Sequence, residues 1–230
     1  MIGIVAAHPV ELQPILRKLT HRRQGCGLVS GQLGGVPVVV GALGQGWRWA
    51  EVGTGKFLER TRCTALVITG FAGATQPGLV CGDLVIPDLV VDLHEDPEAV
   101  DGLRYRPPLD LQAVRATTGG RDGMLVTVGG LVGAPAQKAR LGQRTGAAAV
   151  DLESAAIAAV AQARGVPWIV ARVILDSVDR PLGVWSAWHA GWLVISIMGW
   201  GRLRLFLREM AVAQRHLGEQ VQAVVAALPA

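Results

Sequence analysis

Charge is sparse in this chain. Asp, Glu, Lys and Arg make up 17% of its 230 residues, half the residues are hydrophobic, and the mean hydropathy is +0.37. A disordered chain has the opposite balance, so this composition calls for a folded core, and a chain of this length buries one without staples. Cysteine is equally scarce. Cys26, Cys63 and Cys81 are odd in number and share no short spacing, which supports neither a disulfide framework nor a zinc site and fits a reducing cytoplasm. Tyr and Phe are nearly absent, with one and three against seven Trp. No Gly-x-x-x-x-Gly-Lys-Ser/Thr loop, full Gly-x-Gly-x-x-Gly fingerprint or Gly-x-Ser-x-Gly elbow is present, and the five histidines have no metal-ligand spacing. ATP, NAD and serine-hydrolase chemistry are therefore not expected, and no cofactor is called for. The net charge of +4 is spread out, apart from Arg22–Arg23 and the Arg202, Arg204, Arg208 group. A nucleic-acid binder concentrates its basic residues in a stripe, so a nucleic-acid partner is not expected.

What is present is an alternation. Ile2–Ala7 is a continuous apolar run ending at His8-Pro9, and it reads as a buried first strand rather than a secretory leader. Glu11–Leu19 has helical apolar spacing. Leu28–Leu33 and Val36–Leu43 flank Gly34-Gly35 as a hairpin, and Ala50–Arg60 is a helix weakened by Gly53 and Gly55. Strands are expected at Ala65–Thr69, Leu84–Pro87, Leu89–Leu93, Met124–Val128 and Trp168–Leu175. Pro97–Gly120 reads as loop with a short helix, Asp151–Ala163 as an alanine-rich helix, and Leu203–Ala227 as a long one. Uniformly apolar strands alternating with helices predict an α/β fold, a mixed and mostly parallel central sheet flanked by helices. With no internal repeat and no low-complexity linker, residues 1–230 are expected to form a single domain.

Pro181–Gly201 stands apart. It lacks Asp, Glu, Lys and Arg and carries Trp185, Trp188, Trp192 and Trp200. Three readings are open, in this order: a pocket-lining loop and helix start, an interfacial segment with Trp at headgroup depth beside the Arg202–Arg208 cations, and a membrane span, which Pro181 and the glycines oppose.

Ligands of parallel α/β sheets sit beyond the carboxyl ends of the strands. Glu11 follows the first strand, Thr69-Gly70 and Gly73 end the central one, Glu153 opens the alanine-rich helix and Asp176 ends Trp168–Leu175. Singly, each has an ordinary reading. Asp151 and Glu153 favour a helix N-terminus, Asp176 suits a salt bridge to Arg172 or Arg180, and Glu11 suits a solvated first turn.

In combination and order these residues resemble the nucleoside phosphorylase superfamily, above all its methylthioadenosine/S-adenosylhomocysteine nucleosidase branch. The resemblance covers most of Met1–Asp179. It rests on Gly3-Ile-Val-Ala-Ala followed by Glu11, Gly31-Gln-Leu-Gly-Gly, Leu43-Gly-Gln-Gly46, Thr69-Gly-Phe-Ala-Gly73 and Gly82-Asp-Leu-Val-Ile-Pro-Asp88. Its most specific parts are Val150-Asp-Leu-Glu-Ser-Ala-Ala-Ile-Ala158, Gly165-Val-Pro-Trp and Arg172-Val-Ile-Leu-Asp176. The resemblance implies an enzyme that cleaves the N-glycosidic bond of a purine nucleoside. Glu11 would activate water, Glu153 would hold the ribose hydroxyls, and Asp176 would protonate the purine so that adenine leaves neutral. Gly70, Phe71, Ala72, Gly73, Leu131, Val132 and Leu152 would line the substrate site. Such cleavage passes through an oxocarbenium-like transition state, which leaving-group protonation and a held water both favour.

The departures are apolar. Phe71 and Leu175 stand where the family has Ser, Leu131 where it has the adenine-stacking Phe, Leu152 where it has Met, and Asp151 where it has Glu. The Leu43–Gly46 loop has no Arg to clamp phosphate, which favours water over phosphate. The hopanoid-associated phosphorylase branch is similar in length, in its Arg172–Asp176 strand and in its Arg-rich tail. That similarity implies a lipid-linked nucleoside such as adenosylhopane, a place in hopanoid biosynthesis, and peripheral contact of a cytoplasmic protein with the inner membrane face through residues 185–208, while the resemblance to the nucleosidases, commonly dimers, implies a homodimer.

Overall fold

A computed structural model describes residues 1–181 and 193–229. Its frame is one mixed sheet. β1 (Ile2–Ala6) lies between β4 (Val36–Ala42) and β5 (Ala65–Ala74) and runs parallel to both. β11 (Trp168–Asp176) pairs parallel along the other edge of β5. The last two residues of β5, Gly73 and Ala74, pair antiparallel with β10 (Ala149–Asp151), which leads in parallel to β9 (Met124–Val128) and β7 (Leu89–Leu93). Short antiparallel strands close the margins. β2 (Thr20–Gly25) and β3 (Leu28–Leu33) lie beyond β4, β8 (Leu103–Tyr105) beyond β7, and β6 (Leu84–Val85) along β11.

The central strands are apolar on both faces because both are covered. Side chains of a strand alternate between faces. Ile2, Ile4 and Ala6 pack with α1 (Pro9–Lys18), α3 (Leu111–Thr118) and α6 (Leu193–Ala227). Leu66, Ile68, Trp168 and Val170 pack with α2 (Trp47–Arg60) and α5 (Ser154–Ala163) on the other face. A smaller cluster joins Leu141 of α4 (Pro135–Thr145) to β7 and β9.

Several elements differ from the sequence reading. α2 starts at Trp47 and crosses Gly53 unbroken. A Cβ at Gly53 would strike the Leu43 carbonyl oxygen, so this glycine lets the helix lie against the end of β4. β5 does not stop at Thr69 but continues to Ala74 through Gly70, whose φ of +133° is open to glycine. The Asp151 region is not the start of a helix. Asp151 ends β10, held by parallel pairing to β9, and α5 begins at Ser154. The strands β8 and β10 and the helix α4 had no distinct sequence signal. β8 and β10 are three residues long, and pairing with neighbours rather than local pattern makes them strands.

α6 begins at Leu193, ahead of the expected Leu203. Trp185, Trp188 and Trp192 of the apolar segment lie outside the described residues. Among the described residues, no helix is long and apolar enough to cross a membrane.

Candidate active site

A cavity of about 600 Å³ opens where β1, β5 and β11 end and β10 joins them. Glu11, Phe71, Ala72, Gly73, Leu131, Val132, Leu152, Glu153 and Asp176, all expected from sequence, line it. Gly70 does not. It stands behind the wall, where a Cβ would run into the Glu11 carboxylate and the Arg172 guanidinium. Ala7, His8, Gln45, Gly46, Val150, Asp151 and Leu175 complete the lining. Among these described lining residues there is no Lys or Arg, while four carry carboxylates.

Each carboxylate is fixed from a different element. Pro9 opens α1 and His8 caps it, with His8 Nδ1 accepting from the Val10 N–H at 3.1 Å. Glu11, three residues past the cap, is part of the same device. Its Oε2 accepts the His8 N–H at 2.9 Å. Its Oε1 accepts the Phe71 N–H at 2.9 Å, tying the first helical turn to the middle of β5. Glu11 is therefore buried and held, not the solvated first-turn residue that local sequence also allows.

Glu153 immediately precedes α5, and its Oε1 accepts the Gly46 N–H at 2.8 Å. Burial pushes its carboxyl up to about 7, and the neighbouring Asp151 and Glu11 carboxylates push the same way against the attraction of Arg172. Asp151 accepts from the Thr127 hydroxyl at 2.6 Å and from the Ser154 N–H at 3.0 Å. Behind all three lies Arg172, 1% exposed. Its guanidinium is 2.6 Å from Asp151 Oδ2 and 3.9 Å from Glu11 Oε1, and it donates to the Thr69 carbonyl at 2.9 Å and the Ser154 hydroxyl at 3.1 Å. That cation is occupied by the protein's own acids.

Asp176 ends β11 and faces the cavity from the other side. Its ion-pair partner is neither Arg172 nor Arg180 but Lys138 of α4, whose Nζ donates to Asp176 Oδ2. Burial pushes the Asp176 carboxyl up to about 6. The Lys138 hydrogen bond and charge oppose that rise, and Glu209 adds to it. Lys138 escaped sequence reasoning because α4 did. The available signal was a lysine on the apolar stripe shared with Leu141 and Gly142, three and four residues on, all three buried.

A family model, the phosphorylase superfamily, matches residues 1–188. The chain belongs to the phosphorylase superfamily. Within it, the 5′-methylthioadenosine/S-adenosylhomocysteine nucleosidase of Geobacillus thermodenitrificans is 30% identical over 224 residues, 85% of this chain and 95% of the relative. The protein of the same description from Mycobacterium tuberculosis is 28% identical over 80% of this chain and 88% of its own. Solved structures in the superfamily share the fold. The S. pneumoniae nucleosidase with a transition-state inhibitor superposes with a TM-score of 0.76 at 21% identity, covering 98% of each chain. The futalosine hydrolase of Helicobacter pylori gives 0.75 at 19% identity, covering 99% of this chain and 97% of that one.

Proposed function

We propose that this protein is a purine nucleosidase, which hydrolyses the N-glycosidic bond of an adenine nucleoside. The observation that carries the reading is the convergence of Glu11, Glu153 and Asp176 on one cavity from three separate elements. Burying three acids around a void costs several kcal/mol unless the void binds something that uses them.

The roles follow from how each acid is held. Asp176 has its carboxyl raised to about 6, so a far larger fraction of it carries a proton near neutrality than of an ordinary aspartate. It donates that proton to N7 of the purine as the C1′–N9 bond breaks and the bonding pair passes to the base. Glu11, anchored by two backbone N–H groups, holds the water and takes its proton as the oxygen bonds to C1′. Glu153 accepts hydrogen bonds from the ribose hydroxyls. Ala72, Gly73, Leu131 and Val132 surround the base. The products are neutral adenine and the free sugar.

Water is favoured over phosphate by charge. The described wall holds four carboxylates and no Lys or Arg, and Arg172 is already engaged, so a phosphate dianion has no cation to meet.

The substrate class follows from the apolar departures. Phe71, Leu152 and Leu175 all line the cavity and suit an apolar 5′ substituent, with a lipid-linked nucleoside such as adenosylhopane as the finest form of the reading. On that form the chain works as a homodimer at the inner face of a membrane, with contact through residues 185–208. A second reading, methylthioadenosine or S-adenosylhomocysteine as substrate, is favoured by the 30% identity to the G. thermodenitrificans nucleosidase.

One assay separates the readings. Adenine release is followed by chromatography from methylthioadenosine, S-adenosylhomocysteine, inosine and 5′-alkyl adenosines of rising chain length, each with and without phosphate. Phosphate-independent release that improves with chain length is expected. Best release from methylthioadenosine selects the second reading. Release only with phosphate overturns hydrolysis, and no release from any compound, with binding retained, turns the protein into a nucleoside-binding one.

A further inference from the structure

The buried cation Lys138 has no place in the chemistry described so far. Its side chain is 0% exposed. An ammonium has three donors, and here all three are used. One goes to Asp176 Oδ2, one to the Ser177 carbonyl at 2.5 Å and one to the Arg180 carbonyl at 2.6 Å. These acceptors form the end of β11 and the segment directly after it. Asp176 Oδ1 carries no hydrogen bond from any described residue, and both carboxyl oxygens lie beside Gly73, 3.5 and 3.6 Å from where an added Cβ would stand. Gly73 is itself part of the cavity wall. The lysine therefore engages one oxygen of an acid that lines the cavity and leaves the other without a donor from the described residues.

We propose that Lys138 is a positioning residue of the reaction, orienting Asp176 through Oδ2 and stabilising the carboxylate that remains once the proton has passed to the purine. This rests on the nucleosidase reading above. The proton moves from Asp176 to N7, the C1′–N9 pair moves to the base, and the lysine keeps its three protons throughout. The final state is a buried Asp⁻–Lys⁺ pair with short charge-assisted hydrogen bonds, a better end point than a lone buried carboxylate. Without Lys138 the acid would hold its proton too tightly to give it up. With the lysine but without burial it would have lost the proton before substrate arrived. Among the described residues, the other titratable groups coupled to Asp176 are Glu209 of α6, which works against the lysine, and Cys81, which lies near Glu209 with its thiol pushed up to about 11 by burial.

The test compares Lys138→Met and Lys138→Gln with the wild type, with folding checked by circular dichroism. The glutamine variant keeps a donor toward the two carbonyls if the methionine variant does not fold. Two measurements are made. In the pH profile of kcat/KM, the fall on the alkaline side is expected to move up by about one unit or more, with kcat lowered about 100-fold and KM changed far less. A lysine that merely props the loop would lower kcat or stability and leave that limb in place, which overturns the proposal. The second measurement needs no turnover. The carboxyl carbon of Asp176 is titrated by NMR in ¹³C-Asp-labelled protein and assigned by its absence in Asp176→Asn. An upward shift of its titration in Lys138→Gln is expected, and an unchanged titration overturns the pairing. If the wild type hydrolyses no nucleoside, the function reading fails by itself, and the role of Lys138 in catalysis falls with it even where the NMR shift is seen.

Discussion

The two sides of the cavity hold their acids by different means. On one side Asp151, Glu11 and Glu153 gather around a single buried guanidinium, Arg172, and share it unequally, with Asp151 at 2.6 Å and Glu11 at 3.9 Å. On the other side Asp176 has a cation of its own, and Lys138 touches no other carboxylate in the described structure. A shared cation leaves part of the negative charge unneutralised, which suits gripping hydroxyls and a water. A dedicated cation tunes one group, which suits a proton that must leave during the reaction. On the proposed reading, the same interior produces acceptors at one end and a donor at the other.

Breaking the donor side should have the largest effect on rate. Asp176→Asn keeps the shape and removes the transferable proton, so kcat/KM should drop by about 10³-fold or more while adenine binding by calorimetry changes little. Undiminished turnover would sink the assignment of the acid. Breaking the shared side should act on stability instead. Arg172→Met leaves Asp151 and Glu11 buried without their cation and should cost about 3–5 kcal/mol in urea unfolding. A loss below about 1 kcal/mol would mean that the acids take up protons and do not need the arginine.

The comparison also has a pH form. Asp176 and Glu153 have carboxyls raised to about 6 and about 7 in the folded state, above their values in the unfolded chain. The folded state therefore binds more protons. This part of the stability is complete below about pH 4, the unfolded carboxyl range. It is lost as pH rises through about 6 and then about 7. The urea midpoint should fall over that window, and the fall should flatten in Asp176→Asn/Glu153→Gln; an equally steep fall in the double variant would place the proton uptake elsewhere. The smallest expected effect is on selectivity. Leu131→Phe adds an aromatic face where the wall is 38% exposed, and should shift kcat/KM by about threefold to tenfold toward methylthioadenosine over long 5′-alkyl adenosines, measured by competition. No shift would separate Leu131 from the substrate.

The alternating layers were legible because long buried strands write themselves as unbroken apolar runs. Ile2–Ala6, Met124–Val128 and Trp168–Asp176 lie within a residue of where the sequence put them. The short strand Ala149–Asp151 was not, since three residues show no period and its strand character comes from pairing with β9. Site residues were legible through motif order alone. Glu11, Glu153 and Asp176 each had an ordinary reading, and only together did they point to one pocket. Gly70 belongs to the same motif but not to the cavity wall, because a motif names neighbours in sequence without saying which of them faces the void.

By itself, then, the sequence determined the fold class, the order of most of the elements and the acids that meet at the strand ends. These depend on hydrophobic period and local spacing, which a linear chain displays directly. The tertiary structure decided the cations. Nothing local pairs Arg172 with Asp151, twenty-one residues away, or Lys138 with Asp176, thirty-eight away. Those distances close only when the sheet and α4 pack, and buried charge takes whichever partner the packing brings within reach.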